Sequence, residues 1–104
     1  MRVVVIGGSG HIGSYLVPRL VSAEHEVLCV TRGRQLPYLP EPAWKKVAMI
    51  GADREAEDAE GSFGRRIRDL EADIVIDLVC FKAESARLLV EALRGQVQLL
   101  LHCG

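Results

Sequence analysis

The sequence has no long hydrophobic run, no surplus of either charge and no paired-cysteine motif, and each absence removes a class of function. Its longest apolar stretches are a few residues, such as Val3-Val4-Val5-Ile6 and Leu99-Leu100-Leu101, far short of the roughly 20 residues that span a bilayer. Met1 is followed within one residue by a strand-like run, so no signal or transit peptide is expected. The expectation is a cytoplasmic protein with no membrane partner. Lys and Arg number 13 against 14 Asp and Glu, a formal charge of −1. That balance offers no electrostatic footprint for nucleic acid. Cys29, Cys80 and Cys103 are odd in number, far apart and without a C-x-x-C pair, so they read as reduced thiols acting as small apolar residues. His11, His25 and His102 do not add the close spacing that a zinc site needs. There is no internal repeat and no low-complexity tract.

What is present is an ordinary globular composition, 49% hydrophobic and 26% charged over 104 residues, about the size of one small domain. Strand-length apolar runs alternate with helical patterns. Arg2–Ile6 is a β-branched run stopped by Gly7-Gly8 and predicts a buried strand. From His11 to about Ala23, Ile12, Leu16, Leu20 and Ala23 recur at helical spacing, with Pro18 inside the segment predicting a local bend. Glu26–Thr31 predicts a second strand, ended by Arg32-Gly33-Arg34. Pro37, Pro40 and Pro42 exclude a regular helix over 34–45 and predict an irregular crossover with Trp44 folded onto the body. Lys46–Ile50 predicts a third strand, and the charge-rich stretch Arg54–Gly61 an exposed loop or frayed turn.

Ser62 is placed to cap a short helix with Phe63, Ile67 and Leu70 on one face. Asp73–Cys80 predicts the fourth strand. Lys82–Arg94 predicts a helix burying Ala86, Leu89, Val90 and Leu93, with Gly95 as its stop, and Gln96–His102 a fifth strand. This alternation implies an α/β, three-layer Rossmann-type fold: a parallel sheet of about five strands in the order 3-2-1-4-5, with its switch point between strands 1 and 4.

The segment Ile6-Gly7-Gly8-Ser9-Gly10-His11-Ile12-Gly13 carries the chemistry. Gly8, Gly10 and Gly13 match G-x-G-x-x-G, while Gly7, Gly10 and Gly13 match G-x-x-G-x-x-G. One glycine allows a turn of positive φ out of the strand. Gly10 lets the backbone approach a pyrophosphate, and Gly13 lets the helix pack closely on the strand. The first helical amides then face the phosphates with the positive end of the dipole behind them. Gly7, Gly8, Ser9, Gly10, His11, Ile12 and Gly13 are therefore the expected pyrophosphate contacts; for His11 a surface position at the helix start is the alternative. No Gly-Lys-Ser/Thr follows, so the turn is not a P-loop.

The end of the second strand lacks the Asp or Glu that would bond a ribose 2′-OH and carries Thr31-Arg32-Gly33-Arg34 instead. Arg32, helped by Arg34, is the expected clamp for a 2′-phosphate, which favours NADP over NAD; solvated loop arginines are the other reading.

Taken together, Val3–Gly13, His25-Glu26-Val27 leading to Thr31-Arg32-Gly33, Gly51-Ala52-Asp53-Arg54 and Asp73–Asp77 resemble the extended or atypical short-chain dehydrogenase/reductase superfamily, in its NAD-dependent epimerase/dehydratase group. The resemblance spans essentially the whole chain. It implies that Asp53 contacts the adenine amino group and that Leu78, Val79 and Cys80 line the adenine and ribose side of the cleft. Ala52 departs from the commoner Gly-Asp pairing, so an exposed loop carboxylate is the alternative for Asp53. Asp77 is expected to be structural, bonding backbone amides at the strand end.

The resemblance also implies a Tyr-x-x-x-Lys pair, and it is missing. Tyr15 and Tyr38 are followed four positions on by Arg19 and Pro42. Residues 1–104 are thus expected to be an incomplete N-terminal dinucleotide-binding domain, not itself catalytic, whose substrate part lies beyond strand 5. The whole protein is expected to be an NADP-dependent oxidoreductase or an epimerase, dehydratase or reductase of sugar-nucleotide type. The alternative is a non-catalytic dinucleotide-binding sensor, regulator or RNA-associated member. His102 is expected near the nicotinamide side of the cleft.

Overall fold

β-Branched runs build the centre of the sheet. In the computed structural model, which describes residues 1–7, 11–31, 42–78 and 83–102, Arg2–Ile6 forms β1 and Glu26–Thr31 forms β2. Ile74–Asp77 forms β4, and the shorter strands β3 (Ala48–Gly51) and β5 (Leu99–His102) lie at the edges. All neighbours pair parallel in the order β3-β2-β1-β4-β5. This is the expected topology, with the central strands buried on both faces as continuous apolar runs require.

Alternate residues feed two cores on opposite sides of the sheet. On one side Val3, Val5, Val27, Cys29 and Ile76 meet Val17 of helix α1 (His11–Ser22), with Leu16, Leu20 and Trp44 packed against them. Pro18 lies within α1, and Trp44 belongs to a short 3-10 helix, Pro42–Lys46, so the crossover does fold its tryptophan onto the body. On the other side Val4, Ile6, Leu28, Val30 and Val75 meet Phe63 and Ile67 of α3 (Phe63–Arg68) and Leu89 and Leu93 of α4 (Ala83–Leu93). Burying each such side chain is worth about 1.5–3 kcal/mol, so these two clusters set the stability of the layers. α3 and α4 approach closely because Gly64 has no side chain: a Cβ there would lie 2.5 Å from the Cβ of Ala92.

Several boundaries differ from the sequence expectations. The charged stretch after β3 is not a loop: Arg54–Glu60 is helix α2. Asp53 caps it through its carboxylate, which accepts from the Ala56 N–H at 3.2 Å, and Gly61 ends it in the left-handed conformation at φ 76°. Ser62 stands at the start of α3 without capping it; its hydroxyl donates to the Glu57 carbonyl at 3.4 Å instead. β3 begins later than expected because the 3-10 helix consumes the preceding residues, closing with Val47 N–H on the Trp44 carbonyl at 3.2 Å. β5 is shortened by the turn after α4, where Gly95 has φ 76° and Gln96 N–H bonds the Leu93 carbonyl at 2.8 Å. Val90, placed by spacing on the buried face of α4, is 40% exposed.

Candidate functional site

Five parallel strands end at one edge of the sheet, and the loops leaving that edge carry the residues singled out by sequence. The ends are joined one residue beyond the strands. Gly7 N–H bonds the Val30 carbonyl at 2.7 Å, Leu78 N–H the Ile6 carbonyl at 3.0 Å, and Ala52 N–H the Thr31 carbonyl at 2.8 Å. β1 therefore delivers the glycine turn at a fixed height beside the exits of β2 and β4. β2 and β3 lie on one side of β1, and β4 and β5 on the other. Strand order reverses there, and in open parallel sheets ligands bind in the crevice outside that point.

Gly7 leaves β1 with φ 83°, a conformation that disfavours any side chain, so the first glycine has the geometry the motif requires. His11 is the first residue of α1, and Gly13 is buried within the first turn of that helix. The helix N-terminus thus follows directly on the glycine turn, the arrangement that suits a pyrophosphate. Gly8, Ser9 and Gly10 lie outside the described residues, as do Arg32, Arg34, Val79 and Cys80.

Thr31, the last residue of β2, is 4% exposed. Asp53, exposed beyond β3, is the cap of α2, with its own N–H bonded to Glu57 Oε2 at 3.1 Å. Leu78, half-buried, packs toward the α1 side of the sheet.

Asp77 meets side chains distant in sequence. Its side chain is fully buried, and its partners include side chains rather than strand-end backbone alone. Arg54 Nη1 donates to Oδ1 at 2.6 Å, and His102 Nδ1 lies 3.3 Å from Oδ2. Arg54 also lies 3.5 Å from Asp58, one turn along α2, and its guanidinium stacks 4.9 Å from the centre of the Phe63 ring. Asp58 in turn accepts from the Ser85 hydroxyl at 2.6 Å. Sequence reasoning missed Arg54. The available signals were the Arg54–Asp58 spacing of four and an Asp ending an apolar strand.

Comparison with known proteins agrees with this geometry. The chain is 35% identical over 95 residues to the 2'-dehydrokanamycin reductase of Streptomyces kanamyceticus, covering 91% of this chain and 25% of that protein. It is 38% identical over 58 residues to a UDP-glucose 4-epimerase of Klebsiella pneumoniae, covering 51% of this chain and 42% of that protein. Against these curated relatives the match therefore spans less than half of their length. The crystal structure of the Thermus thermophilus UDP-glucose 4-epimerase complex with NAD superposes with a TM-score of 0.66 at 22% identity, over 92% of this chain and 34% of that one; at that identity the likeness concerns the fold. No helix among the described residues is long and apolar enough to cross a membrane. A family profile matches residues 3–102, nearly the full length, and with it the strand, glycine turn and switch point place this chain in the NAD dependent epimerase/dehydratase family.

Proposed function

We propose that residues 1–104 form the dinucleotide-binding half of a reductase, epimerase or dehydratase, and that NADP is preferred over NAD. The observation that supports this reading most is the exit of Gly7 at φ 83° from β1 into α1, at the strand-order reversal of the sheet. In this reading Gly7 to Gly13 hold the pyrophosphate, with the α1 amides and the helix dipole stabilising its charge. Asp53 meets the adenine amino group, and Leu78 to Cys80 line the adenine and ribose side. Arg32, assisted by Arg34, takes the 2′-phosphate through charge-assisted hydrogen bonds. When bound, the nicotinamide supplies hydride transfer at C4; the acid/base pair that would accompany it is not encoded in this sequence, so the chain alone binds without turning over substrate.

The test is Arg32→Ala, with NADPH and NADH affinities measured by fluorescence titration. Loss of one charge-assisted contact, about 1.5–3 kcal/mol, weakens NADPH roughly tenfold or more and leaves NADH nearly unchanged. Equal weakening of both cofactors removes the NADP preference. Failure of the unaltered chain to bind either removes the reading.

A further inference from the structure

Two of the residues assigned above to the adenine side, Asp53 and Leu78, come from loops far apart in the sheet. Asp53 follows β3 and Leu78 follows β4, and in the sheet β2 and β1 lie between those strands. Yet each is the direct chain neighbour of one member of a single buried ion pair: Arg54 follows Asp53, Asp77 precedes Leu78, and the two meet at 2.6 Å. We infer that the Arg54–Asp77 pair, buttressed by Asp58 and His102, is a positioning device that sets the separation of the β3 and β4 exits and so the width of the adenine end of the cleft. This inference rests on the dinucleotide-binding reading.

The chemistry suits a spacer more than a stability element. A buried ion pair seldom outperforms an apolar pair of the same size in stability, but breaking it leaves an uncompensated charge, so it holds one geometry and penalises others. Asp77 is fully buried and the Arg54 side chain is 13% exposed. Only a guanidinium serves here, because the same planar group meets Asp77, lies 3.5 Å from both Asp58 Oδ2 and the Ser85 carbonyl, and stacks on Phe63. A lysine keeps the charge but offers no planar fork. His102, at the end of β5, reaches Asp77 from the other side and ties the last strand into the same unit.

The experiment compares Arg54→Lys, Asp77→Asn, His102→Leu and His102→Asn with the unaltered chain, titrating NADPH by fluorescence and ADP by calorimetry. ADP carries the adenosine and the pyrophosphate but lacks the nicotinamide ribose. The hub variants are expected to lose affinity for NADPH and for ADP by the same factor, about tenfold for Arg54→Lys and Asp77→Asn and about threefold for His102→Leu. His102→Asn, which keeps a polar side chain beside Asp77, stays near the unaltered affinity. Ile67→Val, a core change of α3 outside the network that lowers the melting temperature, leaves both affinities unchanged.

Because Asp77→Asn can fail to fold, the His102 pair, at a side chain 30% exposed, carries the comparison independently. Should the unaltered chain bind while the hub variants bind equally well, the positioning role is overturned and the cofactor reading stands. The positioning role also falls if Ile67→Val weakens binding as much as they do. An unaltered chain that binds neither ligand overturns both.

Discussion

Asp53 shows how one side chain can answer two descriptions. Its carboxylate caps α2 at 3.2 Å from the Ala56 amide while standing at the exit of β3, where the adenine contact is proposed. The two roles separate by substitution. Asp53→Ser retains a capping oxygen but loses the charge and reach needed for an adenine amino group, whereas Asp53→Ala loses both. Asp53→Ala is expected to lower stability by about 0.5–2 kcal/mol and Asp53→Ser by much less, as read by urea denaturation. If Asp53 also meets adenine, both variants weaken ADP binding alike; if it is only a cap, Asp53→Ser binds as the unaltered chain does. The residue-scale lesson of Asp77 is similar. A carboxylate ending an apolar strand was legible as structural, but its partners lie 23 and 25 positions away in sequence, and no local pattern points to them.

Elements differed sharply in how well their sequences announced them. β1, β2 and β4 are buried on both faces, so each is a run of Val, Ile, Leu or Cys with little else, and each was legible at once. α2 was not. Arg54–Glu60 contributes no buried residue, so it lacks the apolar stripe on which a helix is usually recognised. Its two ends, the Asp53 cap and the left-handed Gly61, and the Arg54–Asp58 spacing of four were its signals. α4 was recognised correctly, but one of its predicted core residues, Val90, is 40% exposed, while Leu89 and Leu93 are buried.

The α3–α4 contact yields a prediction of its own. Gly64→Ala drives a Cβ to 2.5 Å from the Cβ of Ala92, too close for either backbone to accept unmoved. Overpacking of this kind costs about 1–3 kcal/mol, so the urea midpoint falls. The paired change Gly64→Ala with Ala92→Gly recovers most of the loss, and absence of recovery would mean that the contact is not what limits the spacing.

At the scale of the whole molecule the two faces of the sheet are unequally covered. The α2–α4 face closes over β4 and β5, where Leu100 packs against the core. On the opposite face α1 and the 3-10 helix lie over the centre, and the edges are open: Leu99 and Leu101 of β5 are each 46% exposed, as is Met49 of β3. Exposed apolar edges favour association. Leu99→Thr together with Leu101→Thr is expected to change the melting temperature by only a few degrees, because little buried area is lost. The same double change should reduce concentration-dependent light scattering. A large loss of stability would show that these side chains are covered in solution.

The sequence by itself determined the parallel α/β sheet, its strand order and the position of the glycine turn. Those follow from local facts: apolar period, β-branched runs, helix-length crossovers and glycines where positive φ is needed. The Arg54–Asp77–His102 network, the capping role of Asp53 and the unequal covering of the two faces were decided only by the tertiary structure. They depend on which distant side chains the right-handed crossovers bring to the same strand ends, and on how far each helix extends over the sheet. The glycine turn was readable because backbone conformation is a short-range property. A buried ion pair between α2 and β4 was not, because the residues that make it are neighbours only once the sheet between them has closed.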